Sequence, residues 1–261
     1  MCFGVHHSFD QACTDMLGEV VISVSRLSFT YQGRRAVNSN GQLKDSGPAL
    51  VIDDLRIYRG ERVVLCGKNG AGKSSIMAII GGKKHIQGNQ VQVLGRHCFN
   101  DCSLSRNICY LGDWWRTDFF LDVTIHDFLG TSVVNSSACQ QLIQVLQVDL
   151  QWRISHLSDG QRRRCQILAA LTASDQFEIY VLDEVTADLD IVSRENLLLW
   201  LREQSETRHA TVLLATHIFD GLHEWATRLI YMERGCVKYD LPVHDSSPLY
   251  SKVRHWMIDD V

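Results

Sequence analysis

Gly67-Lys68-Asn69-Gly70-Ala71-Gly72-Lys73-Ser74 fits the pattern G-x-x-x-x-G-K-[ST] at every fixed position. Its flanks are the ones the pattern needs. The β run Arg62-Val63-Val64-Leu65-Cys66 precedes it, and a helix is predicted after it over Ser74–Ile80, closed by Gly81-Gly82. Glycines let the backbone curl until successive N–H groups face inward around a phosphate. The helix start adds the positive end of its dipole. Lys73 then brings a mobile cation to β and γ oxygens, and the Ser74 hydroxyl is placed to ligate Mg²⁺. The bland alternative, a glycine-rich turn with an incidental lysine, leaves the matching flanks unexplained.

Ile179-Tyr180-Val181-Leu182-Asp183-Glu184 reads as a buried strand ending in two acids. In a parallel sheet that end lies on the edge where phosphate loops also sit. Asp183 is expected to orient Mg²⁺ through water and Glu184 to polarise an attacking water as general base. Taken alone, the pair reads equally well as a solvated acidic turn. His217 follows the apolar run Thr211-Val212-Leu213-Leu214-Ala215-Thr216 and lands on the same edge, in reach of a γ-phosphate and of Glu184. A lone histidine there is commonly an ordinary surface or core residue. A further motif, His156-Leu157-Ser158-Asp159-Gly160-Gln161-Arg162-Arg163-Arg164, heads a helix predicted over 161–173. Hydroxyl, N–H groups and helix dipole make it either a second anion site or a simple N-cap with a basic first turn.

Outward from these motifs, strand and helix alternate. Residues 1–18 read as a leader, Val20–Val24 and Leu27–Tyr31 as two short strands, 32–48 as a polar loop, and Ala49–Ile52 as a strand. Helical spacing returns over Cys139–Val148, then come the helix 161–173, the strand Glu178–Leu182, a helix over 191–206 and the strand Thr211–Thr216. That alternation predicts an α/β domain with a mostly parallel sheet. The expected division is a domain over 19–245, with a helical subdomain at about 100–175, and a C-terminal tail over 246–261. The chain has 261 residues, 45% hydrophobic and 21% charged, with a net charge of −4, so disorder and a whole-chain basic footprint for nucleic acid are excluded. No apolar run reaches the roughly 18–20 residues that span a bilayer, and the N-terminus lacks the basic start of a signal peptide. Nine scattered cysteines read as reduced thiols rather than a disulfide framework. Neither Cys2, His6, His7 and Cys13 nor His97, Cys98, Cys102 and Cys109 has paired C-x-x-C spacing, so no zinc site is expected.

In this order and spacing, the phosphate loop, Leu157-Ser158-Asp159-Gly160-Gln161, the carboxylate strand and the histidine after a strand resemble an ATP-binding cassette (ABC) ATPase over roughly 20–240. The stretches Leu157–Arg164, Leu182–Asp190, Gln151-Trp152-Arg153-Ile154 and Ala215–Leu222 are similar to those of small ABC ATPases associated with the CCR–NOT transcription and mRNA-decay complex of eukaryotes. The resemblance implies a P-loop NTPase fold: an ABC-type nucleotide-binding domain with a mixed sheet core and a helical signature subdomain. It implies ATP and Mg²⁺ as cofactors, with Tyr31 stacked on adenine and Gly67, Lys68, Asn69, Gly70, Ala71, Gly72, Lys73, Ser74 and Ser75 around the phosphates. Glu184, His217 and Lys73 take the catalytic roles, and Ser74 and Asp183 the metal. It further implies a head-to-tail dimer in which Ser158, Asp159, Gly160 and Gln161 of one copy cover the nucleotide of the other. Ala187-Asp188-Leu189-Asp190 then serves as the dimer-contacting D-loop, usually Ser-Ala-Leu-Asp.

The chain departs from the family in places. Tyr110-Leu111-Gly112-Asp113 stands where Tyr-x-x-Gln is usual; Asp113 either replaces the metal-touching glutamine or does not reach the metal. Trp114, Trp115, Phe119 and Phe120 beside it form either a partner-anchoring surface or subdomain core. Asp159 occupies a position that is glycine in the usual signature, a charge expected to weaken closure and slow turnover. Arg162–Arg164 are expected to form a solvated helix face rather than a nucleic-acid contact. The expected protein is thus a cytoplasmic or also nuclear ATPase without its own transmembrane segment. It would pair with itself or a related ABC ATPase and serve a CCR–NOT-type complex. The rivals are the nucleotide-binding subunit of a membrane transporter and an ATP-binding adaptor without turnover.

Overall fold

In the computed structural model, the described residues are 18–31, 35–37, 43–45, 48–112, 122–243 and 248–259. In chain order the strands are β1 (Val20–Phe29), β2 (Arg35–Val37), β3 (Leu43–Asp45), β4 (Leu50–Tyr58), β5 (Arg62–Cys66), β6 (Val91–Val93), β7 (Arg96–His97), β8 (Ile108–Leu111), β9 (Ile179–Asp183), β10 (Thr211–Ala215), β11 (Arg228–Glu233) and β12 (Cys236–Pro242). The helices are α1 (Lys73–Ile80), α2 (Ile125–Leu129), α3 (Thr131–Val134), α4 (Ser137–Leu146), α5 (Asp159–Leu171), α6 (Ile191–Arg208), α7 (Leu222–Trp225) and α8 (Leu249–Asp259).

The central sheet runs β12-β11-β5-β10-β9-β8. It is parallel from β11 through β8, with β12 antiparallel on one edge. The middle strands β5, β9 and β10 are buried at every position because both faces are covered, and alternate side chains feed different cores. Val64 and Cys66 of β5, Tyr180 and Leu182 of β9, and Val212 and Leu214 of β10 pack with Cys139, Leu142, Leu168, Leu197 and Trp225 from the helices. Val63, Leu65, Ile179, Val181, Leu213 and Ala215 face the other way. There they meet Met77 and Ile80 of α1, and Ile22, Leu50 and Ile57 of a second sheet ordered β4-β1-β6-β7.

That second, antiparallel sheet corrects the sequence reading. Val20–Val24 and Leu27–Tyr31 are not two strands: β1 runs unbroken to Phe29 because its ladder with β4 continues from Ser25↔Asp54 to Leu27↔Ile52 past Arg26, whose φ is +49°. Within the stretch 100–175 the chain forms α2 to α5, and β8 joins the central sheet through β9. In the stretch read as a C-terminal tail, Leu249–Asp259 form α8, which buries Leu249 and Val253 and stacks Trp256 on Tyr239 at 4.6 Å.

The register of the middle strands sets the site. Ala215 pairs with Leu65 on one side and with Asp183 on the other, so β5, β10 and β9 end in one row. The loops that follow them, carrying Lys73, His217 and Glu184, therefore leave the sheet at a common edge.

Candidate functional site

Three glycines make the loop after β5. Gly67, Gly70 and Gly72 have φ of +144°, +81° and +102°. At Gly67 a Cβ would stand 2.2 Å from the Met232 carbonyl oxygen, so both conformation and space demand glycine. Gly72 is the N-cap of α1 and offers no side chain to its orphan N–H groups, which are left for an anion. The Lys73 ammonium donates to the carbonyls of Gly67 (2.8 Å) and Lys68 (3.3 Å), folding the cation back over the loop. Burial lowers its pKa, while Glu184 and Asp183 oppose that shift. Ser74 is exposed at the same helix start, and Ser75 is buried.

Across the edge, Asp183 is buried at the end of β9. Glu184 follows with φ +53°, a left-handed conformation uncommon for a residue with a side chain, and its N–H donates to the Ala215 carbonyl at 3.0 Å. Its carboxylate lies 3.0 Å from His217 Nε2. Burial raises the Glu184 pKa, with His217 and Lys73 pulling against it, so the group is more basic than an ordinary surface glutamate. Beneath the pair, the Thr186 and Thr216 hydroxyls share a buried hydrogen bond of 3.1 Å, and Thr216 Oγ1 accepts from the Ile218 N–H, shaping the turn that presents His217.

One cleft of about 840 Å³ is bounded by Tyr31, Ala49, Asn69, Gly70, Ala71, Gly72, Lys73, Ser74, Ser75, Glu184 and His217, whereas the expected site residues Gly67, Lys68 and Asp183 do not line it. Of the lining residues, the sequence missed only Ala49, which carries no chemical signal. It also missed Lys84, whose ammonium donates to the Tyr31 hydroxyl (2.9 Å) and stands 4.1 Å from that ring's centre; the Tyr31 and Ser75 hydroxyls are hydrogen-bonded as well. Gly112 packs beside Asp183, 3.2 Å separating an ideal Cβ there from the Asp183 Cβ. Asp113 and the aromatics Trp114, Trp115, Phe119 and Phe120 lie outside the described residues.

Ser158, Asp159, Gly160 and Gln161 do not line this cleft. Ser158 is the N-cap of α5 in a capping box: its hydroxyl accepts from the Gln161 N–H at 3.3 Å, and its own N–H donates to Gln161 Oε1 at 2.9 Å. The arginines that follow do not form the solvated face expected of them, because acids and carbonyls stand within reach. Arg162 pairs with Asp159 at 2.9 Å, Arg163 Nε donates to Asp188 at 2.8 Å, and Arg164 reaches the Leu146 and Gln147 carbonyls. In Ala187–Asp190, Leu189 is buried, Asp190 caps α6 through Ser193, and Ala187 and Asp188 are exposed.

Comparison with known proteins agrees with this geometry. A model described as ABC transporter matches residues 52–187, about half of the chain. The ABC transporter I family member 20 of Arabidopsis thaliana is 37% identical over 235 residues, covering 85% of this chain and 70% of that protein. CCR4-associated factor 16 of Saccharomyces cerevisiae is 29% identical over 238 residues, 84% of this chain and 78% of its own. Among solved structures, a dimeric post-hydrolysis state of an ATP-binding cassette bound to ADP and Pi aligns with a TM-score of 0.67 at 19% identity, covering 86% of this chain and 100% of that one. With the fold, the cleft and these likenesses together, the chain belongs to the ABC family, whose ATP-binding domains generally hydrolyse ATP.

Proposed function

We propose that this chain binds Mg-ATP in the 840 Å³ cleft, dimerises head-to-tail around it and hydrolyses it slowly to drive a regulatory cycle. One observation carries the reading: Lys73, Glu184 and His217 converge on the cleft at the edge where β5, β9 and β10 end together. The loop amides of Gly67–Ser75 and Lys73 grip the triphosphate, and adenine stacks on the face of Tyr31 opposite Lys84. Glu184 takes the proton from the attacking water while His217, 3.0 Å away, holds the carboxylate in line. The hard oxygens of Ser74 and Asp183, beside the cleft's cation, suit Mg²⁺, and they would hold it there; bound metal supplies charge neutralisation on the phosphoryl oxygens.

The exposed helix start at Ser158–Gln161 supports the split-site reading, since in one copy it stands apart from the cleft. In a second copy laid head-to-tail it would cover the nucleotide, with the N–H groups of Asp159 and Gly160 as donors. Removing the γ-phosphate removes those contacts and lets the halves part. No described helix is long and apolar enough to cross a membrane, and the described cysteines are free thiols, which fits a cytoplasmic or nuclear setting. The likeness to the yeast CCR4-associated factor supports a link to CCR–NOT-type machinery.

Equilibrium binding and phosphate release test the reading together. Wild type should bind ATP with magnesium dependence and release phosphate, Lys73→Ala should lose binding, and Glu184→Gln should bind without release. Equal release by wild type and Glu184→Gln refutes it. Affinity capture from native lysate with and without ATP tests the partner: recovery of CCR–NOT subunits supports the link, and their absence from both samples removes it.

A further inference from the structure

Tyr31 is held from both ends of one helix. Near the start of α1, the buried Ser75 shares a hydrogen bond with the Tyr31 hydroxyl. Lys84 stands just past the other end, where its N–H and that of Lys83 donate to the Ala78 carbonyl at 3.2 and 2.8 Å. From there its ammonium reaches back to the same hydroxyl at 2.9 Å and stands 4.1 Å from the ring centre. Phe29 meets the ring edge to face, with centroids 5.0 Å apart and planes at 76°. A ring fixed by these contacts is oriented before any ligand arrives.

The cation stands behind this ring. Tyr31 lines the 840 Å³ cleft and Lys84 does not, so the phenol separates the ammonium from the space a base would enter. A cation over one face of an aromatic ring draws the π electrons toward itself. The other face is left less negative, which lowers its repulsion with the π cloud of a base stacked on it. A purine, with two fused rings, gains more from this than a pyrimidine. Lys84 is half-buried, so water screens its charge only in part.

We infer that Lys84 determines base specificity: its ammonium, held behind Tyr31, orients and polarises the ring so that the cleft prefers a purine nucleotide. Lys84 touches no nucleotide and is a positioning residue that acts through Tyr31. The inference rests on the Mg-ATP reading with the base on Tyr31, and adds to it the origin of base selection.

The test is calorimetric titration with ATP, CTP and inorganic tripolyphosphate in magnesium, on the full-length Glu184→Gln chain so that no turnover intervenes. To that chain are added Lys84→Met, Lys84→Arg, Tyr31→Ala, or Tyr31→Ala with Lys84→Met. Lys84→Met keeps the apolar stem and removes the charge. It should weaken ATP by about twofold to fivefold, the ordinary worth of a partly exposed cation–π contact, weaken CTP less, and leave tripolyphosphate unchanged. Lys84→Arg should restore ATP affinity. With Tyr31→Ala already present, Lys84→Met should have no further effect, as a double-mutant cycle requires of a residue that acts through the ring. Unchanged ATP affinity in Lys84→Met overturns the inference, as do equal losses for ATP and CTP or no rescue by Lys84→Arg. So does an equal loss for tripolyphosphate, which marks a general attraction for phosphate, or a loss that persists without Tyr31. A parent chain that binds neither ATP nor tripolyphosphate would instead refute the Mg-ATP reading and the inference with it.

Discussion

Lys73 and Glu184 illustrate what one residue owes to its surroundings. Both are drawn out of water, so each charge is costly alone and is stabilised by the other's proximity. A triphosphate entering such a cleft meets a cation with few competing water dipoles. Lys73→Ala is therefore expected to weaken ATP binding by at least about tenfold, the loss of one charge-assisted contact, as titration calorimetry would show. His217→Ala should slow phosphate release by about a hundredfold with little change in binding; an unchanged rate would remove His217 from the mechanism. Gly67→Ala forces a Cβ against the Met232 carbonyl at an unfavourable φ, and should cost more than about 2 kcal/mol in urea unfolding. The chemistry at this scale was legible because each motif ties a residue type to a strand end. Lys84 on Tyr31 and Asp188 on Arg163 were not, because their partners are 53 and 25 positions distant and no local pattern announces the meeting.

Among the elements, register and caps decide where those residues point. Asp190 accepts from the Ser193 N–H and hydroxyl at the head of α6, and these bonds, the backbone one first, hold its carboxyl below the usual carboxylate range. The folded pKa is depressed, so the stabilisation is complete above the unfolded value near about 4 and is lost as pH falls through the lower, folded value. Asp190→Ala should cost about 1 kcal/mol at neutral pH, read from urea midpoints. Asp190→Asn keeps a cap oxygen and should narrow its gap to wild type as pH drops below about 4. A gap that widens there contradicts the assignment. Leu142→Ala, in the core shared by α4 and the sheet, should cost about 2–5 kcal/mol. The fully buried strands β5, β9 and β10, five residues each, and the helices α1, α5 and α6 were readable from apolar runs and capping residues. β8 is only four residues long, and β12 is an edge strand with no buried run, so neither stands out; β11 was missed although it holds the buried run Leu229–Met232. The unity of β1 depends on its ladder with β4, which is a property of two segments rather than one.

At the scale of the whole molecule, two cores pack on either side of the central sheet, and the cleft lies at the edge where its middle strands end. One copy supplies the phosphate loop, Glu184 and His217 to the cleft; the start of α5 at Ser158–Gln161 does not line it, and in the proposed dimer it would cover the nucleotide of a second copy. ATP is then part of the interface, and dimer formation should follow nucleotide state. Sedimentation of the Glu184→Gln variant with and without Mg-ATP measures this directly. The account predicts a monomer without nucleotide and a species of twice that mass with it, reversed by Lys73→Ala in the same chain. A single monomeric species at every nucleotide concentration would contradict the account.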